Sequence, residues 1–154
     1  MIYGIYCETP MGTITLTEED CALTGLHFGK QSLAEERETP LLEEARIQLS
    51  QYFQGQRRVF DLPLQLKGTP FQRAVWQALV EIPYGDTRSY GEIATAIGRP
   101  KATRAVGMAN HVNPLAIVVP CHRVIGKNGS LTGYAGGLDF KRYLLNLEAA
   151  HRGC

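Results

Sequence analysis

A change of hydrophobic period at Gly68-Thr69-Pro70 constrains the fold of this 154-residue chain more than any other feature. Before it, Ile2 to Tyr6, Gly12 to Thr17 and Ala22 to Phe28 are short segments rich in β-branched and aromatic residues. They are separated by Thr9-Pro10 and Glu18-Glu19-Asp20, so they predict a small antiparallel sheet. Leu41, Ala45, Leu49, Tyr52 and Phe53 then recur at helical spacing up to Gly55. Phe60, Leu62, Leu64 and Leu66 alternate with polar or turn residues as an extended connector, where Pro63 argues against a central strand. After the change, Phe71, Val75, Leu79 and Ile82 form one helical face flanked by Trp76, broken at Pro83-Tyr84-Gly85-Asp86. Ser89 and Glu92 make a capping-box signal for a helix ending at Gly98-Arg99-Pro100, and another helix spans Ala102 to about His111. The expected fold is α/β: a small mixed α/β subdomain with an antiparallel sheet over residues 1–66, then a mainly helical, winged helix-turn-helix-like domain over 67–154.

Hydrophobic residues make up 44% of the chain and charged ones 20%, as in a globular protein. The formal net charge of +1 excludes strong overall basicity, so any nucleic-acid contact must come from a local patch. No apolar run is long enough to cross a membrane, and Met1-Ile2-Tyr3-Gly4 starts no secretory leader, so the expected setting is cytoplasmic. Cys7, Cys21, Cys121 and Cys154 are too scattered for a disulfide framework. Cys7, Cys21 and His27 lack the close ligand spacing and fourth ligand of a zinc site; Cys7 and Cys21 read as strand residues and Cys154 as an exposed terminal thiol. No metal or other cofactor is expected.

Chemistry concentrates at Pro120-Cys121-His122-Arg123, where a thiol stands beside an imidazole and a guanidinium after the apolar run Leu115 to Val119. Neighbouring cations and hydrogen-bond partners favour the thiolate, whereas apolar burial keeps a thiol inert. Cys121 is therefore either a nucleophile or an ordinary buried thiol. It cooperates with His122 only if the chain bends after Pro120 or a water bridges the two, because successive side chains of an extended backbone diverge. On the helix from Ala102, the residues Ala102, Ala105, Gly107 and Ala109 leave a low surface from which Arg104 projects. Such a surface suits close approach, either to the preceding helix or to a DNA groove.

Pro120-Cys121-His122-Arg123-Val124-Ile125-Gly126, then Gly133-Tyr134-Ala135-Gly136-Gly137-Leu138 and a helix running to Glu148, follow Ser89-Tyr90, Arg104-Ala105-Val106-Gly107 and Asn113-Pro114. In this order and spacing the chain resembles the O6-alkylguanine-DNA alkyltransferases, densely from about Thr69 to Glu148 and architecturally before that. The resemblance implies transfer of a methyl or other alkyl group from O6-alkylguanine in double-stranded DNA to Cys121, once per molecule, after the base is rotated out of the duplex. It leaves O4-alkylthymine open as a further substrate. It further implies that His122 deprotonates Cys121 through a water, Glu148 orients the imidazole, Asn113 ties the active-site turn, and Tyr90 crowds the target phosphate and donates a proton. By the same resemblance Ala102, Arg104, Ala105, Gly107, Arg123 and Tyr90 meet DNA through the minor groove, with Arg104 filling the vacated space. The carbonyls of Cys121 and Val124 receive the guanine amine, with Tyr134 as an aromatic wall and the Ala135 N–H at O6. Ala135 stands where some relatives have serine and Ala116 where some have proline, which bears on alkyl preference. The implied protein is monomeric off DNA and makes no membrane contact.

Two other readings compete. A cysteine hydrolase using Cys121 and His122 requires an oxyanion hole, which the sequence does not identify. A helix-turn-helix regulator or a lesion binder without repair activity needs no acceptor thiol, and the presence of Cys121 argues against the lesion binder.

Overall fold

The computed structural model describes residues 1–127, 129 and 137–151, which fall into two compact units, Met1–Lys67 and Gly68–Cys154. In the first unit, β1 (Ile2–Thr9), β2 (Gly12–Glu19) and β3 (Ala22–Phe28) form an antiparallel meander. The two-residue β4 (Glu35–Glu36) adds to the free side of β1 in parallel, giving the order β3-β2-β1-β4. The sheet is thus antiparallel with one short parallel edge.

Asp20 and Cys21 link β2 to β3 with φ of 53° and 62°, the left-handed pair that a two-residue hairpin of right-handed twist requires. Cys21, expected in a strand, is instead an exposed turn residue; only Cys7 lies in one. A bulge at Thr17/Glu18 shifts the pairing from Thr17↔Gly25 to Glu18↔Leu23. That one-residue slip lets Leu23 and Leu26, of opposite parity, both be buried.

Helix α1 (Pro40–Phe53) starts at Thr39, whose hydroxyl accepts from the Leu42 N–H, and packs on β1, β2 and β3. Its buried face is Leu42, Ala45, Leu49 and Tyr52, so Leu42 takes the inward position expected for Leu41. The connector runs along β3: Pro63 supplies a carbonyl to Leu23, and Gln65 donates to the Leu23 carbonyl. A proline fits there because only its acceptor is used.

In the second unit, α2 (Pro70–Val80) and α3 (Tyr90–Ala96) both begin with complete capping boxes, Thr69/Gln72 and Ser89/Glu92. Trp76 is buried, and its indole N–H donates to the Ala109 carbonyl of α4 (Thr103–His111) at 2.9 Å. Gly68 lies against the Trp76 ring so closely that a Cβ would meet it at 2.7 Å. The pair α3/α4 is the expected helix-turn-helix, and β5 (Arg88–Ser89) pairs in parallel with β6 (Val124–Ile125). Helix α5 (Leu138–Ala150) packs on a 3-10 turn at Cys121–Arg123. Among the described residues, no helix is long and apolar enough to cross a membrane.

The outer face of α4 is less uniform than the small residues suggested. Ala109 points inward beside Val106 and Asn110, while Met108 is 64% exposed among Arg104, Ala105 and His111.

Candidate active site

The apolar run before the cysteine forms a succession of tight turns. The Val118 N–H reaches the Ala116 carbonyl at 2.8 Å around Ile117, which is held at a φ of 72°. For a β-branched residue this is a strained conformation, and Ile117 is buried all the same. A second such turn joins the Cys121 N–H to the Val119 carbonyl at 2.7 Å around Pro120, whose fixed ring suits the bend. Asn113 clamps the whole segment: its Nδ2 donates to the Val119 carbonyl at 2.8 Å and its Oδ1 accepts from the Leu115 N–H at 3.0 Å. The chain therefore bends through Pro120 into the 3-10 turn that holds Cys121 and His122.

All of the polar centre is interior. Cys121 is 2% exposed, His122 0% and Glu148 1%. Glu148 Oε2 lies 2.6 Å from His122 Nε2, while Arg123 donates from Nε to Oε1 at 2.8 Å and from Nη2 to Oε2 at 3.0 Å. The Gly85 N–H adds a longer bond to Oε1 at 3.3 Å. Burial alone would raise the Glu148 pKa, but the hydrogen bonds and charges of His122 and Arg123 carry it well below the usual carboxylate range. Burial pushes His122 below its ordinary value; Glu148 opposes that shift, while Arg123 and Lys141 add to it. A carboxylate only accepts, so Nε2 carries the ring hydrogen and Nδ1 is the basic nitrogen. Nδ1 is buried and has no hydrogen-bond partner among the described residues.

Arg123, expected at the DNA surface, is buried instead. Besides gripping Glu148 it donates from Nη1 to the Ile82 carbonyl at 2.7 Å, and its guanidinium lies 5.6 Å from the Tyr84 ring centroid. A buried carboxylate needs a cation, and the neutral imidazole does not supply one.

Lys141 belongs to the same centre and was not anticipated. It is fully buried on α5, its Nζ is 5.9 Å from the Tyr90 ring centroid, and burial draws its pKa down to about 8 against an opposing pull from Cys121. A signal existed: Lys141, Leu144 and Glu148 recur at i, i+3 and i+7, which puts a lysine and a glutamate on the helix stripe of a buried leucine.

Tyr90 opens α3 half-buried, with its ring 4.0 Å from where a Cβ on Gly107 would lie. Arg104 and Ala105 are exposed on α4, Ala102 precedes it as its cap, and Ala116 and Val124 are buried beside the turn. The Cys121 carbonyl already accepts from the Val124 N–H and, at 3.3 Å, from Asn110 Nδ2. Tyr134, Ala135 and Cys154 lie outside the described residues.

Comparison with known proteins points the same way. Residues 70–150 match the family profile "6-O-methylguanine DNA methyltransferase, DNA binding domain", and residues 1–66 match "6-O-methylguanine DNA methyltransferase, ribonuclease-like domain". The constitutive methylated-DNA–protein-cysteine methyltransferase of Bacillus subtilis is 52% identical, with 96% of each chain covered. The methylated-DNA–protein-cysteine methyltransferase of Methanosarcina acetivorans is also 52% identical, covering 97% of this chain and 99% of its own. The Mycobacterium tuberculosis OGT crystallised in complex with DNA superimposes with a TM-score of 0.90 at 49% identity, covering 97% of this chain and 94% of the other.

Proposed function

The chain belongs to the 6-O-methylguanine DNA methyltransferase family, and on that premise we propose that Cys121 is the residue that takes up the alkyl group. The protein is a DNA-repair methyltransferase that moves an alkyl group from methylated DNA onto a cysteine of its own, with DNA as its partner. The observation that carries the assignment of the cysteine is the buried polar centre it shares: a buried thiol adjacent in sequence to a buried imidazole that a buried carboxylate holds.

Before reaction, Nδ1 of His122 takes the thiol proton through a bridging water, and Glu148 holds the imidazolium that results. This is triad logic with a solvent link. The Lys141 ammonium favours the thiolate electrostatically. The sulfur then attacks the alkyl carbon, so an S–C bond forms as the C–O6 bond breaks. Tyr90 donates a proton to the leaving guanine, whose O6 becomes a carbonyl oxygen again. The products are an S-alkylcysteine and an unmodified guanine. A thioether has no easy hydrolytic return, so each molecule reacts once.

The base must leave the stack to come within reach of a buried thiol. Arg104, exposed on α4, occupies the gap from the minor groove, while the exposed Ala105 and the cap residue Ala102 allow the helix to approach. Off DNA the protein is a monomer working in the cytoplasm. The division into a domain of residues 1–66 and a reactive domain of 67–154 is part of this reading, supported by separate family matches to the two stretches.

The test is intact-mass analysis after incubation with an O6-methylguanine duplex. One added methyl per molecule is expected, mapping to Cys121 and not to Cys7, Cys21 or Cys154. Cys121→Ser should bind the lesion and transfer nothing, because a hydroxyl is a poor nucleophile near neutral pH. Repeated turnover, or normal transfer by the serine variant, would overturn the assignment.

A further inference from the structure

We propose that Met108 packs into the minor groove on the base pairs beside the lesion and makes repair slower where those pairs carry the 2-amino group of guanine. The proposal rests on the alkyltransferase reading, with Arg104 in the vacated space, and deepens it.

Met108 is 64% exposed, the most exposed large hydrophobic side chain of the second unit among the described residues. It stands four positions after Arg104 on α4, so the two share a face of the helix, while Val106, Ala109 and Asn110 form the buried one. Positions so spaced have Cβ atoms about 5–6 Å apart. Val112, the residue that caps the helix, continues the same line at 48% exposure. Charge identifies what covers this face. No aspartate or glutamate occurs between Glu92 and Asp139, a stretch in which Arg99, Lys101, Arg104 and Lys127 are all exposed. Such a surface is complementary to phosphates, which makes duplex DNA the occupant.

Base pairs stack about 3.4 Å apart, so a side chain rooted about 5–6 Å from Arg104 meets the duplex within about two pairs of the lesion. Methionine suits that position: it is unbranched and adaptable, and it belongs to the apolar side chains that minor-groove binders press between base steps. The floor of that groove carries acceptors on every pair, but only a G·C pair adds an amine, that of guanine N2. A thioether is at best a weak acceptor, so Met108 lying on a G·C pair strips water from this amine without replacing the bond. On a pair without the amine that loss is absent. Met108 therefore makes the rate depend on the neighbours of the lesion, whereas Arg104 acts on the lesion's own place in the stack.

The experiment compares two duplexes within each protein, so that a folding defect cancels in the ratio. Each carries one O6-methylguanine; the two pairs on either side are G·C in one duplex and hypoxanthine·C in the other, which lacks the 2-amino groups. Single-turnover rates are measured below saturation with DNA. Hypoxanthine·C also pairs more weakly, which eases extrusion for every variant, so the readout is the hypoxanthine-to-guanine rate ratio relative to that of Met108→Ala. Wild type should exceed Met108→Ala by about fivefold, the effect of one covered donor left unmatched. Met108→Leu should keep the high ratio. Met108→Gln, of similar length but with an amide oxygen that accepts from the amine, should fall to the alanine value or below. Ratios for wild type and Met108→Ala within about twofold of each other overturn the proposal. So does a Met108→Ala protein that loses self-association in sedimentation while its ratio stays that of wild type, a result that gives the face to a second copy of the chain. Absence of alkyl on Cys121 of wild type with both duplexes, read by intact mass, is a separate result that fails the alkyltransferase reading and the proposal with it.

Discussion

Replacing Glu148 with glutamine should destabilise the protein far more than its conservative appearance suggests. The carboxylate accepts from His122, from two nitrogens of Arg123 and from the Gly85 N–H, all in an interior where Glu148 is 1% exposed. An amide presents one oxygen and one NH2, so at least one Arg123 or His122 donor would face another donor. Arg123, 6% exposed, would also lose its only counter-charge among the described residues. Breaking a buried ion pair from one side typically costs about 3–5 kcal/mol, a large share of the roughly 5–15 kcal/mol that holds a domain together. Urea unfolding followed by fluorescence of Trp76, the single tryptophan, reads the loss directly. With a slope of about 1–3 kcal/mol per molar, the midpoint should fall by roughly 2 M. The pH dependence fixes the cause. The folded-state pKa of Glu148 is lowered, so its contribution is complete above the unfolded carboxylate value of about 4.3 and is lost as pH falls toward the folded value. The gap between wild type and Glu148→Gln should therefore be flat between pH 6 and 8 and shrink below pH 4. A loss under about 1 kcal/mol, or a gap that widens in acid, would refute the reasoning.

Two other perturbations separate DNA handling and thiol electrostatics from folding. Arg104→Ala should slow repair of an O6-methylguanine duplex much more than alkylation by free O6-benzylguanine, because extrusion costs a few kcal/mol that the free base never requires; equal slowing of both would remove Arg104 from that role. Lys141→Met should stabilise the fold by about 1–3 kcal/mol at pH 7, because burial holds the Lys141 pKa down at about 8 and the charged form is disfavoured. The advantage should narrow as pH rises above 8, where the folded wild type sheds a proton that the unfolded chain keeps. The same variant should transfer more slowly near neutrality and recover at high pH; melts and single-turnover rates across pH 6–10 check both.

Much of the architecture was legible because it is written in local patterns. The capping box at Ser89, the break at Gly98 and the extended connector through Pro63 appear as expected, and the box at Thr69 marks the change of period at Gly68-Thr69-Pro70. The misplacements have physical causes. Cys21 is β-compatible, yet the hairpin needs two left-handed residues and takes Asp20 and Cys21 for them. Leu41 and Leu42 are indistinguishable by composition, and only docking on the sheet decides which faces inward. The β4 strand is two glutamates, which no periodicity marks; it exists because β1 has an unpaired edge.

The site was legible where roles depend on residue type and hidden where they depend on burial. A thiol next to an imidazole declares itself, and the structure brings His122 and Glu148 together across 26 positions of sequence. The resemblance alone places Arg123 at the DNA, from its position in the motif around Cys121. Its actual partner follows from an electrostatic argument that needs one further fact, the depth of Glu148. Once that carboxylate is interior and burial holds down the pKa of its imidazole neighbour, a permanent cation must accompany it, and among the described residues Arg123 is the one that pairs with it. The same argument explains why Lys141 escaped notice: a lysine on a helix is ordinarily solvated, and only the stripe it shares with Leu144 and Glu148 places it inside. The cation two residues after Cys121 thus serves the carboxylate, and the one that acts on the thiol comes from twenty residues away.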